Sequence, residues 1–412
     1  MKHGRAVNQK VNRKLMVQSQ WQQIGSMQFG PRGDPFKKNR PTLSVSNDGN
    51  VPSLSMEPDM TVANLVSSSP QTSQSRRSRL AAAANPVLPG PSTSAVAVGE
   101  DSGGDVACIT LANAHLRLDV APTLGGGVTR FDWRNDGALT PIFRRCRHVA
   151  ADTQPNQLAC YPLLPYSNRI GGGQFNVAGR RVDVPRNRAD EPLPIHGDGW
   201  QSAWQVAESD REKVRLTLDR RDGKPYAYRA TQIYTLDGPT LVVALEIENA
   251  GREALPFGLG VHPFFVRDAD TELSAAAGGL WLSGDDWLPV RHVPAPPAWQ
   301  FGVAYPLPET MVNHAFTGWS GQAAVVWPKR RLSLNIAADT DYYVLYTPPG
   351  EDFFCFEPVD HPINAMNLAG GASENGMTLL GRGERLTRTF RFTVERTGLR
   401  SMPGARGSKR RQ

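Results

Sequence analysis

The sequence predicts an all-β, antiparallel sandwich or barrel between two low-complexity ends. Three features of the middle of the chain carry that reading. Short segments alternate apolar and polar residues, Gly- and Pro-containing turns separate them, and no stretch of roughly 10–15 residues shows the periodicity of an amphipathic helix.

The 412-residue chain is 40% hydrophobic, enough for a sizeable core, and its 33 prolines and 39 glycines imply many turns. Residues 1–104 are rich in Ser, Pro, Gln, Asn and Gly, with tracts such as Ser67-Ser68-Ser69-Pro70 that bury nothing. Such a segment cannot offset its ordering entropy, so disorder is expected there. The folded domain is expected over 105–396. Its first strands are Cys108-Ile109-Thr110-Leu111 and Leu116-Arg117-Leu118-Asp119-Val120. Val214 to Leu218 alternates well, and Ala227 to Leu236 and Thr240 to Asn249 form a hairpin about Asp237-Gly238, since Asp-Gly suits the left-handed backbone of tight hairpin turns. Leu332 to Ile336, Tyr342 to Thr347 and Leu386 to Val394 repeat the pattern. Residues 397–412 read as a basic, disordered tail.

The net charge of +7 is unevenly placed. Residues 1–100 hold 12 bases and 5 acids, and 397–412 hold 5 bases and no acid, so the remaining 29 bases and 34 acids leave the middle at −5. Basicity confined to solvated ends argues against a nucleic-acid partner, which calls for a basic patch on a folded surface. No apolar run approaches the ~18 residues of a membrane helix, so no membrane partner is expected. Four scattered cysteines, Cys108, Cys146, Cys160 and Cys355, form no CxxC pair and no zinc-site spacing. They suit a reducing compartment, and the expected location is cytoplasmic. The Arg76-Arg77 pair reads as linker rather than export signal, because it lies far from Met1 and Asn85-Pro86 interrupts the apolar part that follows.

Three islands carry candidate chemistry. The first runs from Tyr161 to Gly173 and includes Asn168-Arg169-Ile170, with His196-Gly197-Asp198-Gly199-Trp200 further on. The second is Gly258-Leu259-Gly260-Val261-His262-Pro263-Phe264-Phe265, and the third runs from Phe353 through Glu357-Pro358 to Asp360-His361-Pro362 and Asn367. Each island has a plain structural reading. A histidine beside Gly or Pro is usually a turn residue with a satisfied hydrogen bond, Asn168-Arg169 fits a surface turn, and Glu357 fits a strand end. In combination they suggest acid–base work. A carboxylate within Phe353-Phe354-Cys355-Phe356-Glu357 is expected to be desolvated, which raises its pKa towards that of a useful base, and imidazole is the matching acid near neutrality.

In identity, order and spacing, these motifs resemble the aldose 1-epimerase (galactose mutarotase) family, over about Val106 to Glu395. The resemblance implies a large antiparallel β-sandwich that binds a free aldose across one sheet. It implies Glu357 as the general base at the C1 hydroxyl, His262 as the general acid at the ring oxygen, and His196 as a second histidine sharing that role. Asn168 and Arg169 match the sugar-binding pair. Asn313, in Met311-Val312-Asn313-His314-Ala315-Phe316, stands where the family commonly has an Asp. It keeps hydrogen-bonding capacity but lacks charge. Mutarotation moves two protons and leaves no lasting charge, so no cofactor and no metal are expected. The expected assembly is a monomer or homodimer.

Two other readings stand beside this one, and a third is more distant. A non-catalytic sugar binder on the same fold would have no need of both His262 and Glu357. A hexose-6-phosphate epimerase would need cations, for which Arg144, Arg145, Arg147, Arg180 and Arg181 are available. A glycosidase would need a second carboxylate across the scissile bond, for which Asp360 is the nearest candidate in sequence. Tyr166, Trp200, Phe264 and Phe265 are read as core or wall residues that could also face a sugar's C–H side.

Overall fold

Alternation of side chains about period-two strands builds two large antiparallel sheets in a computed structural model that describes residues 106–135, 137–150 and 152–398. The expected disorder of 1–104 lies outside the described residues, as does all of the expected tail beyond residue 398.

The clearest hairpin is the one marked by Asp237-Gly238. Strands Tyr228–Asp237 and Thr240–Asn249 pair along their full length, from Tyr228 opposite Asn249 to Asp237 opposite Thr240. Gly238 takes a φ of +54° in the two-residue connection, a conformation that glycine adopts without steric cost. Along both strands buried residues alternate strictly with more exposed ones, the signature of a sheet with one face in the core. These strands sit inside a nine-stranded sheet ordered Phe301–Pro306, Glu272–Ala275, Gln322–Trp327, Leu332–Ala338, Arg385–Arg396, Thr240–Asn249, Tyr228–Asp237, Lys213–Arg220 and Gln205–Ser209.

The second sheet follows the order Pro289–Val293, Gly279–Ser283, Val312–Thr317, Tyr342–Thr347, Phe353–Val359, Gly260–Val261 and Pro162–Leu163, with Phe264–Val266 also paired to Phe353–Val359. One face of this sheet meets the nine-stranded sheet. Phe265 stacks on Phe354 and contacts Phe392 of the other sheet, with ring centroids 5.3 and 6.3 Å apart. Phe316 meets Phe301 at 6.4 Å, and the Tyr343 hydroxyl donates to the Ala275 carbonyl at 3.1 Å. The architecture is therefore a sandwich, not a closed barrel. A four-stranded sheet (Ile109–Ala112, Leu116–Ala121, Gly127–Asn135, Ala138–Pro141) flanks it, with Phe131 and Phe143 packed together at 4.9 Å.

Helix is nearly absent among the described residues: a four-residue α-turn, Gly371–Glu374, and short 3₁₀ turns. No helix among them is long and apolar enough to cross a membrane. The final strand ends at Arg396, one residue before the expected tail begins.

Candidate acid–base site

Strand Phe353–Val359 sorts its residues between two environments. Phe354 and Phe356 enter the sandwich, where Phe356 stacks on Tyr343 at 4.5 Å. Cys355, Glu357 and Val359 therefore project from the opposite face, because successive strand side chains point to opposite sides. That outer face is not bare. Tyr161, Leu163, Ile195, Trp200 and Phe264 cover it in one buried cluster with Ala315, Val344 and Cys355. Glu357 is consequently only 3% exposed although it lies outside the sandwich core.

His262 comes to Glu357 through a break in pairing. The chain leaves the sheet after Gly260–Val261, passes through His262-Pro263, and pairs again at Phe264–Val266. The His262 amide donates to the Tyr161 carbonyl at 2.9 Å. Its ring stacks on Tyr161 and on Phe264, with centroids 4.5 and 4.7 Å away, and those two rings also touch each other at 6.0 Å. In this aromatic cluster Nε2 points at Glu357 Oε1, 3.2 Å distant.

His196 arrives from a separate turn. Its φ is +62° and that of Gly197 is +66°; a Cβ on Gly197 would fall 2.2 Å from the Leu164 carbonyl oxygen, so only glycine fits. Asn168, also left-handed at φ +55°, locks the imidazole from the other side. Its amide donates to His196 Nδ1 at 2.9 Å, and its carbonyl accepts from the His196 amide at 3.0 Å. An Nδ1 that accepts a hydrogen bond leaves the proton on Nε2, so a neutral His196 is a donor at Nε2. The rings of His196 and His262 meet edge to face at 5.4 Å.

The next residue, Arg169, is held by Glu191 at 2.9 and 3.1 Å and by the bridge between Arg169 and Ile195. A second histidine steadies the same loop. His361 Nε2 accepts the Ser167 amide at 3.1 Å, and His361 Nδ1 bonds the Pro362 carbonyl at 2.9 Å. Consecutive amides, of Ser167 and Asn168, are thus each tied to a buried imidazole.

Burial controls the protonation of the group. It pushes the Glu357 carboxyl up to about 8, partly opposed by the Arg169 charge. Burial likewise pushes His262 down to about 3 and His196 well below the usual imidazole value, in the latter case helped by nearby positive charge. Both directions follow from the cost of holding a charge away from water. For Glu357 and His262 as a unit, the favoured state near neutrality is one shared proton and no net charge. Glu357 Oε2 and His262 Nδ1 are buried and have no hydrogen-bond partner in the protein.

Glu357, His262, His196, Asn168 and Arg169 thus lie together. Asn313 stands apart. It pairs with Tyr346, which pairs with Cys355, so it shares the outer face of Glu357 from two strands away, about 12 Å off by strand spacing and rise. Of the aromatic candidates, Trp200 and Phe264 border the histidines. Phe265 is sandwich core, and Tyr166 packs on Tyr226 away from them. Asp360 is not a free second carboxylate: Arg388 holds it at 2.5 Å and the Leu259 amide at 2.8 Å. Arg145 is bound to Asp132, while Arg147, Arg180 and Arg181 lie in exposed pairs with surface acids. Sequence reasoning did not single out Tyr161, Glu191, Cys355 or His361 for these roles. Tyr161 and His361 lie within the quoted islands, whereas Glu191 carries no local signal. Cys355, read as a small hydrophobe, joins His262 and Glu357 in a trio with one ligand atom from each within 4.8 Å of the others.

A family model described as aldose 1-epimerase matches residues 107–393. The uncharacterised Escherichia coli K12 protein YphB is 32% identical over 296 residues, covering 69% of this chain and 98% of that protein. The galactose mutarotase of Rattus norvegicus is 26% identical over 202 residues, 42% of this chain and 58% of the relative. Among solved structures, a candidate aldose 1-epimerase from Escherichia coli K12 aligns with a TM-score of 0.65 at 31% identity, over 70% of this chain and 99% of that one. A galactose mutarotase-like protein from Clostridium acetobutylicum shares the fold, with a TM-score of 0.61 at 18% identity, over 71% and 96% of the two chains.

The raised carboxyl sets a stability test. Between about 4.5 and about 8 the folded state keeps a proton on Glu357 that the unfolded chain has released, so stability is lost as pH rises through that window. Glu357→Gln removes this penalty. Its melting temperature should exceed that of the wild type by a margin that grows from pH 4.5 to pH 8, read by calorimetry; a margin independent of pH would show that the carboxyl is not perturbed.

Proposed function

Because this chain belongs to the aldose 1-epimerase family, we propose that it interconverts the α and β anomers of a free aldose by acid–base ring opening and closure. The observation that carries the reading is the 3.2 Å approach of His262 Nε2 to Glu357 Oε1, in a buried site that also holds His196. Ring opening needs a base for the C1 hydroxyl proton and an acid for the ring oxygen. A pair holding one proton supplies both when that proton resides on His262: the Glu357 carboxylate takes the hydroxyl proton while His262 protonates the ring oxygen as the C1–O5 bond breaks. His196, held as an Nε2–H donor, hydrogen-bonds near the same oxygen. The aldehyde then turns about C1–C2, and the ring closes on the other face with the roles reversed.

Asn168 orients His196 through its backbone, and Arg169 lies close enough to Glu357 to oppose the rise in its pKa. Arg169 and Asn313 would bind sugar hydroxyls, Asn313 at the far side of the same sheet face. Positioned acids and bases contribute about 10²–10⁴-fold each, which suits a reaction that already proceeds in water. The four free cysteines support a cytoplasmic setting.

One feature favours a second reading, a phosphorylated aldose as substrate. The Arg144 guanidinium lies 4.0 Å from the Phe264 ring centroid and 4.5 Å from that of Phe353, and it makes no ion pair among the described residues. If it binds phosphate, Arg144→Ala should raise KM for phosphorylated aldoses alone; an equal effect on free aldoses would remove this reading.

Polarimetry on fresh α-D-glucose and α-D-galactose, or anomer exchange by NMR across a panel of aldoses, tests the main reading. Glu357→Gln should lose nearly all turnover with its fold intact, and His262→Asn should be nearly as impaired. Half of the wild-type rate surviving in Glu357→Gln would refute the assignment of the base. The pH profile has a worked sign. Since the working pair carries one proton, kcat/KM should hold level through neutrality and fall as pH rises through about 8, where that proton leaves. A rate still climbing at pH 9 would mean that the fully deprotonated pair is the active one.

A further inference from the structure

A thiol, an imidazole and a carboxyl group, each a known zinc ligand type, meet at the centre of the acid–base site. His262, Cys355 and Glu357 are all buried, and each offers a ligand atom within 4.8 Å of those of the other two. The sequence hides the trio, because Cys355 and Glu357 are brought to the same face by strand alternation and His262 comes from a segment 93 residues earlier than Cys355. We propose that these three residues form a binding site for a thiophilic divalent ion such as Zn²⁺, and that the bound ion shuts off the acid–base pair.

The geometry needs little adjustment. Zinc bonds of about 2.0–2.3 Å hold tetrahedral donors about 3.3–3.8 Å apart. The His262–Glu357 separation is already 3.2 Å, and side-chain rotation closing the widest gap by about an ångström completes the set. The unpartnered Glu357 Oε2 and His262 Nδ1 show that the hydrogen-bonding capacity of these side chains is not consumed by the protein. Charge also balances. On binding, the Cys355 thiol and the Glu357 carboxyl each release a proton to solvent, while neutral His262 donates a lone pair. A 2+ ion with one thiolate and one carboxylate is neutral overall, the condition that a buried site among Tyr161, Phe264 and Val344 requires. Nitrogen and sulfur donors with a single carboxylate select Zn²⁺, Co²⁺ or Cd²⁺ over Mg²⁺ or Ca²⁺, which prefer oxygen. With three protein ligands the ion keeps an open position, as in catalytic rather than closed structural sites. It nevertheless acts as an inhibitor here, because its lone pairs come from the groups that must move protons. Affinity should rise with pH, since protons leave on binding.

The metal half of the proposal stands on geometry alone, and the inhibitory half rests on the proposed epimerase activity. The test is a Co²⁺ titration of the chelator-treated full chain, followed by the thiolate-to-metal absorption band. One equivalent of band, displaced by Zn²⁺, is expected. Cys355→Ser, with Cys355→Ala as a second variant should the first misfold, should lose the band and bind at least ~100-fold more weakly. Cys160→Ala, which alters a buried thiol outside the trio, should keep it. In parallel, the ratio of the mutarotation rate in chelator to that in Zn²⁺ should be large for the wild type and fall to about one in Cys355→Ser. No thiolate band in excess Co²⁺, or a band that survives the loss of Cys355, overturns the site. A wild-type band without mutarotation in chelator would uphold the metal site while removing the epimerase reading.

Discussion

The alternation of strand Phe353–Val359 is the constraint from which the site follows. Phe354 and Phe356 are fully buried against the facing sheet, and a slip of one residue would exchange them for Cys355 and Glu357. The apolar side of the strand thereby fixes the register of its polar side. Glu357 cannot leave its place without exposing two phenylalanines, each of which contributes a few kcal/mol to the fold. A costly buried carboxylate is held by residues that have no chemistry of their own.

The outer face of this strand would be an ordinary solvated sheet surface were it not covered. Segments carrying Tyr161, Ile195 and Trp200 roof it, beside Phe264 of the neighbouring strand, and that cover produces both the raised carboxyl and the depressed imidazoles. Aromatic stacking of His262 on Tyr161 and Phe264 supplies position and dehydration together. Backbone amides do the same for His196, where the Asn168 N–H selects the tautomer. Desolvation thus makes a single proton worth sharing between Glu357 and His262, and the same dry, neutral environment suits a neutral metal complex better than a free ion pair.

Elements with strong local signals were legible in detail. The hairpin about Asp237-Gly238 lies within a residue or so of its expected limits, and Tyr342–Thr347 matches its expected bounds. Sandwich and barrel could not be separated from the residues alone, because strand periodicity is the same in both. The resemblance favoured the sandwich, and Phe265, Phe354 and Phe392 joining two stacked sheets realises it. Residues such as Glu191 and Arg388 gained their roles only from partners distant in sequence.

By itself, then, the sequence determined the strands that alternate clearly, the tight turn at Asp237-Gly238, and the identity of the groups able to carry protons, since these depend on local residue preferences. Only the tertiary structure decided that Glu357 and His262 lie within hydrogen-bonding reach, that Cys355 joins them, and that Asn313 stands two strands away. Those outcomes depend on cross-strand register and on which loops dehydrate one sheet face, and both are set by contacts between segments that no local pattern relates.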